Sequence, residues 1–147
     1  MQSLDRLRPL ALLLLRLAIG IIFATHGYPK LFTNTANAMN MFVHMGFPSY
    51  FVYIAGVFEF FGGLMLILGL FTRVAGILLA GEMAVAIWRV HLPMGPITAV
   101  HNYEFPLALA VGSFALACFG AGFISIDALV FRNGAKSSRK PRPKDRD

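Results

Sequence analysis

Charged residues are scarce in this chain of 147 residues: they make up 14% of it, whereas 57% of the residues are hydrophobic. A soluble domain carries roughly a quarter charged residues, which it needs to cover a water-facing surface. The mean hydropathy of +0.67 agrees with this shortage. The composition excludes a soluble enzyme with a second large domain and indicates a small integral membrane protein.

Cysteine is almost absent, and so are the common catalytic motifs. Cys118 is the single cysteine, which excludes an internal disulfide, a CxxC redox pair and a cysteine-based zinc site. The chain also lacks a phosphate-binding loop, a GxSxG motif, an HExxH motif and a dinucleotide fingerprint. The residues alone therefore predict no metal and no evident cofactor, and they leave open whether the chain is an enzyme.

Basic residues outnumber acidic ones by 13 to 7, but their distribution argues against nucleic acid as a partner. Seven of the basic residues follow Phe131, with no aromatic residues between them. Such a run is typical of a segment that lies on the anionic inner face of a membrane. We interpret residues 132–147 as a basic, disordered cytoplasmic tail.

Four apolar segments are long enough to cross a bilayer, in which the backbone must satisfy its own hydrogen bonds. They predict an all-α, polytopic membrane four-helix bundle in one domain, residues 1–131. The predicted spans are about 10–32, 50–71, 74–90 and 103–126. Thr72 is predicted to cap the third helix at its N-terminus.

The positive charges also predict an orientation. Lys and Arg flank both termini, and Arg73 occupies the tight second turn, whereas loops 33–49 and 91–102 contain neither residue. By the positive-inside rule both termini are cytoplasmic. In the first outer loop, Ala36, Met39 and Phe42 recur at helical spacing, which fits a short interfacial helix or, equally, an irregular loop.

Seven ionisable side chains interrupt the apolar segments, where each one is costly without a partner. They are Arg16, His26, Lys30, Glu59, Glu82, Arg89 and Glu104. A 4-3-4-3 step places five residues on one face of the first helix: Arg16, Gly20, Phe23, Gly27 and Lys30. Gly62 and Gly63 follow Glu59 by one turn, either to let a neighbouring helix approach or to leave a hollow beside the carboxylate.

Depth in the membrane suggests how these charges pair. At about 1.5 Å per residue, Arg16, Glu82 and Glu59 lie roughly 9, 13 and 16 Å from the cytoplasmic side. We predict that Arg16 pairs with one or both carboxylates. The alternative to a functional cluster is a structural one, because buried ion pairs also fix the register of helices.

A second polar cluster is predicted at the outer mouth of the bundle. His26 and Arg89 both lie at about 24 Å, with Lys30, His91, His101 and Glu104 nearer the outer surface. A histidine such as His26 can change its charge near neutral pH.

Four short motifs, in order along the chain, resemble those of the DoxX family of small four-helix membrane proteins. They are RLAIGIIFATHGYPKLF (16–32), EFFGGLMLILGLFTRVAG (59–76), NYEFPLALA (102–110) and GAGFISID (120–127). The resemblance implies a protein of the bacterial inner membrane, since related proteins include a subunit of an archaeal thiosulfate:quinone oxidoreductase and a component of a mycobacterial membrane oxidoreductase complex. It marks five candidate functional residues, Arg16, His26, Lys30, Glu59 and Glu104. Glu82 and Arg89 rest on helical spacing alone.

Three functions remain open at this point. The first, which we favour on the resemblance, is an accessory or quinone-site subunit of a membrane redox complex, with quinone as the cofactor. The second is a small-solute or proton transporter that uses a relay of Glu59, Glu82 and His26, and the third is a structural scaffold. The expected partners are the lipid bilayer, redox subunits or a second copy of the chain. Gly76, Ala80 and Ala84 form a strip of small residues that suits either a homo-oligomer or packing inside the monomer.

Overall fold

The structure is a computed structural model that describes residues 6–130. Five α-helices follow one another: α1 (Arg8–Tyr28), α2 (Thr35–His44), α3 (Phe51–Leu68), α4 (Thr72–Ala86) and α5 (Glu104–Phe119). A π-helical turn extends α1 (Pro29–Thr33) and another extends α4 (Ile87–His91), and two 3-10 turns lie before α5 (Leu92–Met94 and Val100–Asn102). No strand occurs in the described range, which confirms the predicted all-α class. The predicted cytoplasmic tail, residues 132–147, lies outside the described residues.

Three segments are long and apolar enough to cross a membrane by length and composition, namely Arg8–Thr33, Phe51–Leu68 and Thr72–Met94. The fourth apolar helix, α5, has 16 residues and reaches about 24 Å at 1.5 Å per residue. It ends at Phe119, before the predicted end of the fourth segment at Ile126. Gly120 and Gly122 cause this, because both adopt positive φ values, 78° and 75°, that an α-helix does not contain.

The first outer loop contains α2, the short helix that was one of two predicted alternatives. The bundle therefore has two different ends. We call the end with the α3–α4 turn, residues 69–71, the turn end. The opposite end, which carries α2 and the loop at 92–103, is the loop end.

Helices α1 and α3 pack with their backbones in contact. Four glycines line this interface: Gly20, Gly27, Gly56 and Gly63. A Cβ atom on Gly63 would lie 2.6 Å from both the Ala24 main-chain nitrogen and the Gly20 carbonyl oxygen. The second glycine of the Gly62–Gly63 pair thus serves the close approach of a neighbouring helix, which is the usual role of small residues between membrane helices.

Helices α4 and α5 form a second close pair. A Cβ atom on Gly76 would lie 2.6 Å from the Ser113 carbonyl oxygen, so the first member of the small-residue strip packs inside the monomer. Helices α3 and α4 contact each other less extensively. The bundle therefore consists of two tight helix pairs that meet at a looser seam, and its central core runs through Ile19, Phe23, Leu66, Leu79 and Leu116.

The N-terminus of α4 is capped by a distant residue. Asp127 accepts hydrogen bonds from the main-chain N–H groups of Phe71 and Thr72, at 2.8 and 3.0 Å. The prediction that the Thr72 side chain supplies this cap is wrong, since its Oγ1 atom is buried without a hydrogen-bond partner in the described structure. A carboxylate at this position also interacts favourably with the helix dipole.

The close approach of α1 and α3 gives a stability prediction. We expect Gly63→Ala to destabilise the protein by about 1–3 kcal/mol, because the added methyl group would overlap backbone atoms that cannot move aside. The midpoint of thermal unfolding in one fixed detergent, followed by Trp88 fluorescence, measures the effect. Gly81→Ala is the matched control, since a Cβ atom there meets nothing within 4 Å. Equal losses in the two variants would contradict the close approach.

Candidate functional site

Arg16 is buried, with 2% of its surface exposed, and it donates four hydrogen bonds to main-chain carbonyl oxygens at the turn end. Two acceptors close the end of α3, Leu66 at 2.9 Å and Ile67 at 3.3 Å. The other two belong to the segment after α5, Ala121 at 2.5 Å and Ile124 at 2.8 Å. The last carbonyls of a helix have no partner within it, so the guanidinium satisfies them and ties the two segments together.

The prediction that Arg16 pairs with Glu59 or Glu82 is therefore wrong. The depth estimate placed the three residues at similar heights but ignored the carbonyl groups that α3 leaves free at its end. Gly69 makes room for the guanidinium, since a Cβ atom there would lie 2.7 Å from Arg16 Cζ. With φ of 67°, Gly69 also adopts the left-handed conformation that ends α3.

Glu59 pairs with Lys30 instead. The Lys30 Nζ atom lies 2.5 Å from Glu59 Oε2, and the two side chains are 17% and 6% exposed. Lys30 belongs to the π-helical turn after α1, which the Asn34 N–H closes by donating to the Pro29 carbonyl oxygen at 2.8 Å. The ammonium group also lies 5.7 Å from the centre of the Phe42 ring on α2. A cation at the end of α1 thus neutralises a carboxylate buried in α3.

Glu82 lies on α4, across the seam from this ion pair. Its Oε2 atom is buried and accepts no hydrogen bond from any described residue. Two carboxyl groups therefore lie at the seam with one cation, Lys30, which pairs with Glu59.

These three groups line a cavity of about 550 Å³, which we call the main cavity. Most of its wall is apolar, with four phenylalanines and three methionines: Phe42, Phe47, Phe51, Phe58, Met41, Met45 and Met83. His91 is a fourth polar residue of the wall, and its Nδ1 atom lies 3.0 Å from the Ala86 carbonyl oxygen. Gly81 leaves open space beside Glu82, because a Cβ atom there meets nothing within 4 Å.

The main cavity opens towards the lipid-facing surface. Its wall includes Ile54 and Phe58 of α3 and Ile77 and Leu78 of α4. Between 40% and 61% of the surface of these four residues is exposed. An apolar molecule dissolved in the bilayer can therefore enter between α3 and α4 without crossing a polar surface.

A second cavity of about 490 Å³ lies on the other side of Lys30, between the end of α1 and α2. Its wall is more polar than that of the main cavity and includes Thr25, His26, Asn34 and Asn37. The His26 Nδ1 atom lies 2.8 Å from the Ile22 carbonyl oxygen. His26 thus faces the second cavity, whereas Glu59 and Glu82 line the main one.

The other predicted residues lie apart. Arg89 lies over the rings of Phe47 and Trp88, with Cζ 5.8 and 5.9 Å from the ring centres. Glu104 is exposed in the first turn of α5. The predicted outer cluster is thus divided, because Lys30 turns inward to Glu59 and lines the main cavity with His91, whereas Arg89 and Glu104 line neither cavity.

Sequence reasoning missed several residues of the site. His91 was expected in the outer cluster, in a loop, but the π-helical turn carries it to the wall of the main cavity. The aromatic residues and methionines of the cavity wall could not be recognised from the sequence, since such residues are common in any membrane helix. No group of three or more His, Cys, Asp or Glu side chains that could hold a metal ion occurs within residues 6–130.

Comparison with known proteins shows to which family the chain belongs. The model of the DoxX family matches residues 11–92, a range that contains all four polar residues of the main cavity. The chain belongs to the DoxX family. Glu104 and Asp127 lie outside the matched range, as do the carbonyl groups after α5 that Arg16 binds.

Three curated proteins are similar over most of their length. A Bacillus subtilis protein named "Putative oxidoreductase CatD" is 36% identical over 82% of this chain and 87% of its own. An uncharacterised protein of Haemophilus influenzae is 34% identical over 74% and 75%. The Escherichia coli inner membrane protein YqjF is 27% identical over 86% and 97%. No solved structure matches the chain.

Arg16 is expected to act on stability. Arg16→Lys should destabilise the protein by about 2–4 kcal/mol, because one ammonium group cannot span the carbonyls on both sides of the guanidinium. Thermal unfolding in detergent measures the loss. Arg73→Lys is the matched control: Arg73 is exposed and, within residues 6–130, donates only to the carbonyls of Ala117 and Cys118, so its loss should be well under half as large. Losses of the same size would refute the special role of Arg16.

The Lys30–Glu59 pair is expected to behave as a coupled unit. Lys30→Met or Glu59→Met alone should each destabilise the protein by about 3–5 kcal/mol, since each leaves an uncompensated buried charge. The double variant removes both charges and should recover most of that loss. A double-variant cycle on unfolding free energies measures the coupling. Additive losses would show that the two residues do not depend on each other.

Proposed function

We propose that this chain is an accessory or quinone-site subunit of a bacterial inner-membrane redox complex, and that the main cavity holds the ring of a quinone-type ligand. The observation that carries the proposal is the pairing of an apolar cavity with a buried carboxyl oxygen, Glu82 Oε2, that has no partner among residues 6–130. A quinone ring has the matching chemistry, since its faces are apolar and its oxygens need hydrogen-bond partners.

Size supports the proposal. Cavities that bind small organic molecules have volumes of about 300–1,000 Å³, and the main cavity, at about 550 Å³, falls within this range. Four phenylalanines offer faces on which a flat ring can stack. The lateral opening between α3 and α4 allows the long apolar tail of a membrane quinone to remain in the lipid.

The polar groups of the cavity define where the ligand oxygen lies. Lys30 and Glu59 approach from the α1–α3 pair, and Glu82 approaches from α4. A quinone oxygen beside them can accept a hydrogen bond from Lys30 or from a protonated Glu82, and the hydroxyl of a quinol can donate to the same carboxyl groups. The site therefore accommodates both redox states of one ligand.

A subunit role fits better than independent catalysis. The lone Cys118 cannot form a redox pair within the chain, so we assign electron transfer to a partner subunit. The name of the Bacillus subtilis relative, "Putative oxidoreductase CatD", supports a redox context. The name of the Escherichia coli relative, an inner membrane protein, supports the location.

The proposed orientation places both termini in the cytoplasm. It rests on the Lys and Arg residues near the termini and in the second turn, together with their absence from loops 33–49 and 91–102. The turn end is then cytoplasmic. The loop end, with the second cavity, then faces the opposite side of the membrane.

Filling the main cavity should abolish quinone binding. Gly81→Trp places an indole in the open space beside Glu82, so we expect the quinone retained per protein to fall at least tenfold. Protein in nanodiscs is loaded with a short-tailed benzoquinone or naphthoquinone, extracted, passed through size exclusion and assayed by mass spectrometry. Ala84→Trp is the matched control, because Ala84 is exposed on α4 and does not line the cavity. Equal retention by both variants, or none by the unaltered protein, would refute the proposal.

A further inference from the structure

We infer that the second cavity is the aqueous entrance through which protons reach the main cavity, and that Lys30 is the residue that passes them. The inference rests on the proposed function in one respect: the protons are those that a bound quinone exchanges. The route itself is a property of the chain and can be measured without a ligand. The observations behind it are the position of Lys30 and the side chains that line each cavity.

Lys30 and Met41 are the two residues that line both cavities. The Lys30 Nζ atom lies 2.5 Å from Glu59 Oε2, on the side of the main cavity. The exposed fraction falls from 17% for the Lys30 side chain to 6% for that of Glu59. Water that enters the second cavity therefore meets the ammonium group before it can meet either carboxyl group.

The two cavities differ in the chemistry of their walls. The second cavity is lined by a hydroxyl, an imidazole and two amides, from Thr25, His26, Asn34 and Asn37, and all four residues are exposed. Polar groups in a cavity wall can hold ordered water, whereas purely apolar cavities stay dry. The main cavity has mostly aromatic and methionine walls, with few polar groups besides Lys30. The boundary between the wetter and the drier space is therefore assigned to Lys30.

The transfer balances without any further reactant. An N–H bond of the Lys30 ammonium breaks as an O–H bond forms on Glu59 Oε2, and the neutral amine then takes a proton from water in the second cavity. Bulk water at the loop end replaces that proton. The reverse sequence releases a proton. The electrons that change the redox state of the ligand come from the partner subunit and do not pass through Lys30.

Other titratable groups face this route from both sides. Glu82 and His91 lie across the main cavity on α4 and its π-helical turn, and they can take the proton onward. His26 lies at the outer side. Its Nδ1 atom faces the Ile22 carbonyl oxygen at 2.8 Å, and a carbonyl oxygen can only accept. The neutral ring therefore carries its hydrogen on Nδ1 and leaves Nε2 as a hydrogen-bond acceptor.

Exchange of the buried carboxyl protons for deuterium tests the route. Ligand-free protein in nanodiscs is switched from H₂O to D₂O under an infrared beam, at a pH low enough to protonate the buried carboxyl groups. The bands lost in Glu59→Gln and Glu82→Gln identify the two groups. We expect Asn37→Trp, which fills the second cavity, to slow the exchange of both bands at least tenfold.

Asn40→Trp is the matched control, because Asn40 lies one turn further along α2, is exposed and lines neither cavity. It should exchange at the rate of the unaltered protein. Thr25→Trp places the same ring into the second cavity from α1, which keeps the test valid if Asn37→Trp disturbs α2. Unchanged rates in both blocking variants overturn the inference, and so does slowing by Gly81→Trp alone.

Quinone retention, measured on the same blocking variants, separates this inference from the proposed function. Asn37→Trp and Thr25→Trp should retain quinone as the unaltered protein does, since they leave the main cavity open. Slowed exchange in a chain that retains no quinone would support the route and refute the ligand. Normal retention with unchanged exchange would refute the route and leave the ligand in place.

Discussion

A buried charge in a bilayer has no water to solvate it, and this constraint explains how both ends of the bundle are built. At the turn end the constraint is met in full, because Arg16 gives hydrogen bonds to four carbonyl oxygens and Asp127 caps α4. At the loop end it is met in part, because Lys30 neutralises Glu59, whereas Glu82 Oε2 has no hydrogen-bond partner among the described residues. The two ends of this bundle therefore differ in how completely their buried ionisable groups are paired.

The main cavity follows from how the helices pair. Glycines allow the close approach of α1 to α3 and of α4 to α5. The seam between the pairs is closed by larger side chains, and Gly81, with no neighbour within 4 Å of its absent Cβ, leaves a gap in it. Helix α2 covers one end of that gap with Met41 and Phe42.

Much of the fold could be predicted from the sequence, because long apolar runs and helical spacing report directly on spans and buried faces. The face with Arg16, Gly20, Phe23 and Gly27 is indeed buried. The partners of the buried charged side chains could not be predicted in the same way. Heights estimated along rigid helices omit the length of the side chains, the free carbonyl groups at helix ends and the rotation of one helix against another. Arg16 was therefore assigned to carboxylates that it does not contact, while Lys30, placed at the surface, reaches Glu59 from the end of α1. The cavity depends on α2 packing over the seam, for which hydropathy gives no measure.

The two π-helical turns restrict where residues can be inserted into or deleted from this chain. Each one widens the helix by a residue just where it meets the cavity, at Lys30 after α1 and at His91 after α4. In an α-helix one residue corresponds to a rotation of about 100°. Deleting a single residue from either turn would restore ordinary α-helical winding and rotate the residues after the deletion to another face, including His91 at the end of the second turn. Homologous chains should therefore tolerate insertions and deletions in the loop at 92–103 and exclude them from 29–33 and 87–91.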